Sequence, residues 1–153
     1  IFGNDDGHIT DELETIRSVF DKAGIHNKLS QNIRLDIWQK FLFITTVSGI
    51  AALTRSVFGV IRGNPNIRQI MRETAEEIVA LANAVDVPLD DSDIATTFRA
   101  IDNTIYNTTA SMQRDIMSGR PSELDNFNGF DMPFSDRSSS ADSPINQKIQ
   151  HCF

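Results

Sequence analysis

Lys40 is the residue of this sequence best placed to do chemistry. It stands between Trp38-Gln39 and Phe41-Leu42-Phe43, and an ammonium group in such company must reach solvent, a carboxylate or a cavity. The bland arrangement is an aliphatic stem lying on the core with its head in water; the other is a catalytic amine. A second cluster runs through Ser111-Met112-Gln113-Arg114-Asp115-Ile116 and Gly119-Arg120-Pro121-Ser122-Glu123. Taken alone it reads as local structure, with Ser111 and Ser122 as helix caps and Glu123 in a first turn, where the helix dipole favours an anion. The sequence has no G-x-G-x-x-G, P-loop, H-E-x-x-H or C-x-x-C. His8, His26 and His151 are far apart and read as surface or connector residues. Asp5-Asp6 and Asp90-Asp91-Ser92-Asp93 suggest a hard cation, but turn and cap duties explain both, so no metal site is expected. The sequon Asn107-Thr108-Thr109 matters only in a secreted protein.

The elements that would carry these groups follow from apolar spacing and end signals. Asn4-Asp5-Asp6-Gly7 is a turn. Thr10 caps a helix over Asp11 to Ala23, with Asp11, Glu12 and Glu14 in its first turn. Leu13, Ile16, Val19 and Phe20 fall at helical spacing there, and Gly24 ends it. Ile25 to Ser30 is a connector or short strand. From Ile33 to Thr54 there is no proline. Ile33, Ile37, Phe41, Ile44, Val47 and Ala51 give one apolar face, while Trp38, Leu42, Phe43, Ile50 and Leu53 fill the others. A helix apolar all round is expected at the centre of its fold.

Ser56 to Arg62 reads as a helical turn or loop. Asn64-Pro65 then opens an amphipathic helix to about Val85, and Asp90-Asp91-Ser92-Asp93 caps another over about Asp93 to Tyr106. A short helix from Ser111 to Ser118 is closed by Gly119. Pro121-Ser122-Glu123 opens one toward Phe130 or Phe134, Ser135 to Ser143 is a polar stretch, and a last helical segment runs from Pro144 to about His151. The expected fold is all-α: one compact multi-helix domain over residues 1–153 around a buried central helix.

The 153 residues suit a single domain, and 40% hydrophobic with 23% charged residues is ordinary for a globular chain. Fourteen basic against 21 acidic residues leave a net charge of -7, which repels phosphate backbones, so no nucleic-acid partner is expected. The lone Cys152 excludes an intramolecular disulfide and a thiolate metal cluster, and suits a reducing compartment. The acidic start carries no export signal, so a cytoplasmic location is expected. The longest uncharged run, Phe41 to Thr54, is short for a bilayer span, and no membrane partner is expected.

Several runs then occur in a telling order: Trp38-Gln39-Lys40, Arg72-Glu73, Ser111-Met112 with Asp115-Ile116, Glu123-Leu124-Asp125, Asn128-Gly129-Phe130, and Ser143-Pro144-Ile145-Asn146. From about Thr10 onward the chain resembles the C-terminal helical domain of the ketopantoate reductases (2-dehydropantoate 2-reductases). The S-M-x-x-D-I run followed by E-x-D-x-x-N-G is its most specific part. The resemblance implies a helical domain like the C-terminal domain of 6-phosphogluconate dehydrogenase. It also implies an N-terminal Rossmann domain that binds NADPH, and a small 2-oxo acid in the cleft between the two. Hydride transfer to the ketone of ketopantoate gives pantoate for coenzyme A synthesis. By matching position, Lys40 is the general acid at the ketone oxygen, where an ammonium both stabilises and protonates a developing alkoxide. Glu123 matches the acid that bonds the substrate hydroxyl, and is also assigned to the cofactor side of the cleft. Ser111 matches the hydroxyl that helps hold the carboxylate, with Ser48 a further substrate contact.

The chain departs from the family where recognition is concerned. Positions one and two turns after the lysine, often asparagine in the family, are Ile44 and Ser48, and a further asparagine is replaced near Phe58. A pocket short of amide donors can favour another small 2-oxo acid. The chain opens at Ile1 with no glycine-rich strand-turn-helix ahead of the helices. The expectation is a fragment without its NADPH-binding domain, inactive alone, whose uncovered face pairs in a homodimer. The rival reading is a non-catalytic helical dimerisation module, and it is separated from the enzyme reading by whether Lys40 and Glu123 face one open cleft.

Overall fold

The computed structural model describes residues 1–122. It contains α1 (Asp11–Lys22), α2 (Ile33–Thr54), α3 (Phe58–Gly63), α4 (Pro65–Ala84), α5 (Asp91–Asn103) and α6 (Ser111–Met117). The helices expected after Pro121 and Pro144 lie outside the described residues. Helix starts follow their side-chain caps. Thr10 Oγ1 accepts from the Leu13 N–H, and the Asn32 side chain accepts from Leu35 at 3.1 Å. The Asn64 side chain takes the N–H groups of Asn66 and Ile67 ahead of Pro65. A reciprocal pair opens α5: Asp90 accepts from Ser92 at 2.7 Å and Asp93 accepts from Asp90 at 3.0 Å. Four ends fall where a left-handed residue stops the helix: Gly24 (φ 69°) after α1, Arg55 (φ 51°) after α2, Asp86 (φ 61°) after α4 and Gly119 (φ 64°) after α6.

Helix α2 is the hub. Leu42, Val47, Ile50, Ala51 and Ala52 are buried among Met71, Ala75, Ile78 and Ala82 of α4 and Ile94, Phe98 and Ile101 of α5. By length and composition α2 could cross a bilayer, yet its apolar C-terminal half is packed inside the protein. The expectation of burial along the whole helix fails at its start. The first turns carry Arg34, Asp36, Gln39 and Lys40, and Ile37 is 56% exposed. Polar groups hold that end instead: Arg34 donates to the Val85 carbonyl, Lys28 to Asp36, and Gln39 to Asp93.

Helix α5 stops at Asn103 rather than running to Tyr106. The Arg62 guanidinium donates to the carbonyls of Ile101, Asp102 and Thr104, satisfying the last turn from the side. The chain then turns so that the Tyr106 and Thr108 carbonyls take the N–H groups of Gly59 and Phe58 at the start of α3. Tyr106 lies so close to Gly59 that a Cβ there would overlap its ring.

The first 31 residues are built differently. Helix α1 has no buried residue. The connector after it pairs at one point, a parallel bridge between Phe2 and Leu29, with Phe2 N–H donating to the Lys28 carbonyl and Ser30 N–H to the Phe2 carbonyl.

Candidate active site

Lys40, Ile44 and Ser48 follow at four-residue spacing on α2, so they lie along one face, and 1.5 Å of rise per residue separates the ends by about 12 Å. The face grades from wet to dry: Lys40 is exposed, Ile44 half-buried, and Ser48 buried. Lys40 makes no ion pair or hydrogen bond among the described residues, so its ammonium is held by no partner there. Of the two arrangements open to Lys40, the head in water is the one found. Around the helix from Lys40, Gln39 lies about 100° and Phe43 about 60° away, on the side toward α5. There, with Leu42, Asp93, Thr96 and Thr97, they line a cleft of about 210 Å³. Lys40 is absent from that cleft and from the two around Gln31 and Asn32 near the start of the chain.

Helix α6 brings Ser111 to this hub. Its Gln113 is 1% exposed and does two jobs. The side-chain oxygen accepts from Ala110 N–H, and the amide donates to the Ser56 carbonyl, both at 3.3 Å. That tether holds the start of α6 beside the chain leaving α2. Ser111 thus sits exposed toward the C-terminal end of α2, with Ser48 midway and Lys40 toward the other end. Ala110, not Ser111, occupies the cap position, and Ser111 is the first residue of the helix. Glu123 lies outside the described residues, so the acid expected to face Lys40 is not placed.

Phe58 does not line this face. It is 5% exposed in the hydrophobic core at the start of α3, so the position where an amide was expected in the family now fills the interior. Helix α2 also carries the hydroxyls of Thr45 and Thr46, both fully buried and without a hydrogen-bond partner among the described residues. Gln113 was legible only as part of the S-M-x-x-D-I run; its role depends on Ser56, which is distant in sequence.

A family model described as ketopantoate reductase PanE/ApbA C terminal matches residues 32–151. An oxidoreductase of Bacillus subtilis, YkpB, is 28% identical over 130 residues, 85% of this chain and 43% of that protein. A 2-dehydropantoate 2-reductase of Pyrococcus abyssi is 30% identical over 119 residues, 76% of this chain and 39% of its own length. Among solved structures, a dimeric ketopantoate reductase from Staphylococcus aureus superposes with a TM-score of 0.80 at 23% identity, covering 94% of this chain and 50% of that one. The chain therefore spans half or less of the length of each of these proteins.

Proposed function

The chain belongs to the ketopantoate reductase C-terminal family, and on that premise we propose that it is the substrate-side half of a nicotinamide-dependent 2-oxo acid reductase. The observation that carries this reading is the lysine at the wet end of the Lys40–Ile44–Ser48 face, open and without a partner among the described residues. Reduction of a ketone ends with a new proton on its oxygen, and Lys40 Nζ is the group assigned to donate it. Ser111 and Ser48 are assigned to the substrate, Ser111 to its carboxylate, and Glu123 to the substrate hydroxyl.

The cofactor, assigned as NADPH, supplies hydride when bound, but the described residues are not built to hold it. The passage ahead of α1 runs from the isolated bridge residue Phe2 through Gly7. It carries Asp5, Asp6, Asp11, Glu12 and Glu14 where a phosphate cradle would need bare N–H groups. The nucleotide is accordingly assigned to a preceding Rossmann domain, and the chain alone is expected to show no turnover.

Ile44 and the buried Phe58 favour a second reading of the substrate. With an apolar group at one position and no side chain offered at the other, the face has fewer donors for a hydroxylated substrate. An unhydroxylated 2-oxo acid such as 2-oxoisovalerate suits that face better than ketopantoate, and on this second reading Glu123 has no substrate hydroxyl to bond.

The test uses the full-length polypeptide with reduced nicotinamide nucleotide. Lys40→Ala is expected to lower kcat by about 10²- to 10⁴-fold with KM changed by only a few-fold; an unchanged kcat removes Lys40 as the proton donor. The kcat/KM for 2-oxoisovalerate is expected to exceed that for ketopantoate by at least about tenfold, the scale on which mismatched polar groups discriminate. The reverse order would restore ketopantoate as the substrate.

A further inference from the structure

Helix α6 is seven residues long and opens at Ala110 without a side-chain cap. A helix so short is marginal by itself, and an alanine at the cap position offers no oxygen to the first turn. Gln113 holds that turn from inside the protein. Its side-chain oxygen accepts from the Ala110 N–H, the returning half of a capping box. Its amide donates across 57 positions of sequence to the Ser56 carbonyl, next to the left-handed Arg55 that ends α2. Arg114 acts from outside, donating to the carbonyl and the hydroxyl of Thr109 at 2.8 and 3.0 Å. Ala110, Met112 and Gln113 are all buried. Ser111 stands among them exposed, and its hydroxyl makes no hydrogen bond among the described residues. At 100° per residue, Ser111 and Gln113 lie on opposite sides of α6. Gln113 therefore cannot touch a ligand held by Ser111, and reaches it only through the backbone of the first turn. Packing alone does not call for a glutamine here, because methionine fills a similar volume with no polar group to satisfy.

We propose that Gln113 is a positioning residue of the 2-oxo acid site: it fixes the Ser111 hydroxyl relative to the helix that carries Lys40, and so sets how tightly the substrate carboxylate is held. The inference rests on the assignment of Ser111 to that carboxylate. Ser56 follows directly on the end of α2, so the bond from Gln113 ties the start of α6 to the helix bearing the proton donor. The carboxylate is unchanged by reduction of the neighbouring ketone. A contact to it is thus made equally in the ground and transition states, and its loss raises KM while sparing kcat. Lys40 acts at the oxygen that gains charge, where loss lowers kcat. The two helices then carry separable duties, with chemistry on α2 and grip on α6.

The test uses the full-length polypeptide. Gln113→Met keeps the volume and removes both hydrogen bonds. It should raise KM for a 2-oxo acid by at least about tenfold with kcat within about threefold of the wild type. Ser111→Ala should do the same, and the double variant should have a KM no higher than that of the worse single variant. Effects on KM that multiply overturn the proposal, since Gln113 would then act on the fold and not through Ser111. An unchanged KM for Gln113→Met overturns it too. A measurement on the wild type needs no variant to fold: the Ala110 amide should exchange at least about tenfold more slowly than that of exposed Asn107. Equal exchange would show that no tether exists and ends the proposal. A polypeptide that reduces no 2-oxo acid would sink the reductase reading and this assignment with it, whereas an active one with multiplying effects would sink this assignment alone.

Discussion

Helices α1 and α4 are written by the same rules and have opposite fates. Each opens on a side-chain cap and carries one apolar stripe against one polar side. In α4 that stripe delivers Met71, Ala75, Ile78 and Ala82 into the core against α2, and in α1 it stays at the surface. Amphipathic spacing therefore states that a helix needs a partner, not that the partner is at hand. The contrast is sharpest when the same substitution is made on both. Ile78→Ala removes a side chain 4% exposed, and should cost about 2–5 kcal/mol through lost burial and the cavity left behind. Ile16→Ala should change the stability of this chain by less than about 0.5 kcal/mol, as for ordinary surface positions. Urea unfolding of the two variants measures both, and a large loss for Ile16→Ala would mean that α1 already has a core of its own.

The caps give a smaller version of the same comparison. Asn64 takes two N–H groups at the start of α4, and Asn64→Ala should cost about 1 kcal/mol of global stability. Thr10 takes the Leu13 N–H at a longer 3.4 Å. Thr10→Ala should shorten or fray α1, seen as lost helical circular dichroism, while the unfolding midpoint of the bundle stays in place. A midpoint shift as large as that of Asn64→Ala would show that the two regions unfold as one.

Much of the helical frame was legible because its signals are local. Asn64-Pro65, the Asp90–Asp93 box, and the glycines after α1 and α6 mark ends within a few residues of themselves. What escaped depends on groups distant in sequence. The end of α5 is set by Arg62, the position of α6 by Gln113 on Ser56, and the pairing of Leu29 by Phe2. The candidate site divides in the same way. Lys40, Ile44 and Ser48 share a face because helix periodicity places them there. Their gradient from exposed to buried follows from which turns of α2 the other helices cover, and four-residue spacing cannot show that. Nor could it show that Phe58 would turn inward.

The smallest expected effect sits on the contact joining the two regions. Lys28, on the connector after α1, donates at 2.7 Å to Asp36 in the first turn of α2. Burial pushes the Asp36 carboxyl up, but the hydrogen bonds from Lys28 and Ser30 and the Lys28 charge outweigh it and hold the carboxyl below its ordinary value of 3.8. A carboxyl depressed by folding adds stability that is complete above 3.8 and is lost as pH falls through the lower folded value. Because Lys28 is 59% exposed, the gain should be under about 1 kcal/mol and should shrink in salt. Lys28→Met leaves the burial and removes the charge, so the Asp36 carboxyl should titrate at higher pH than in the wild type, followed by carbon NMR. An unmoved carboxyl would show that Ser30 and the start of α2 hold Asp36 without Lys28.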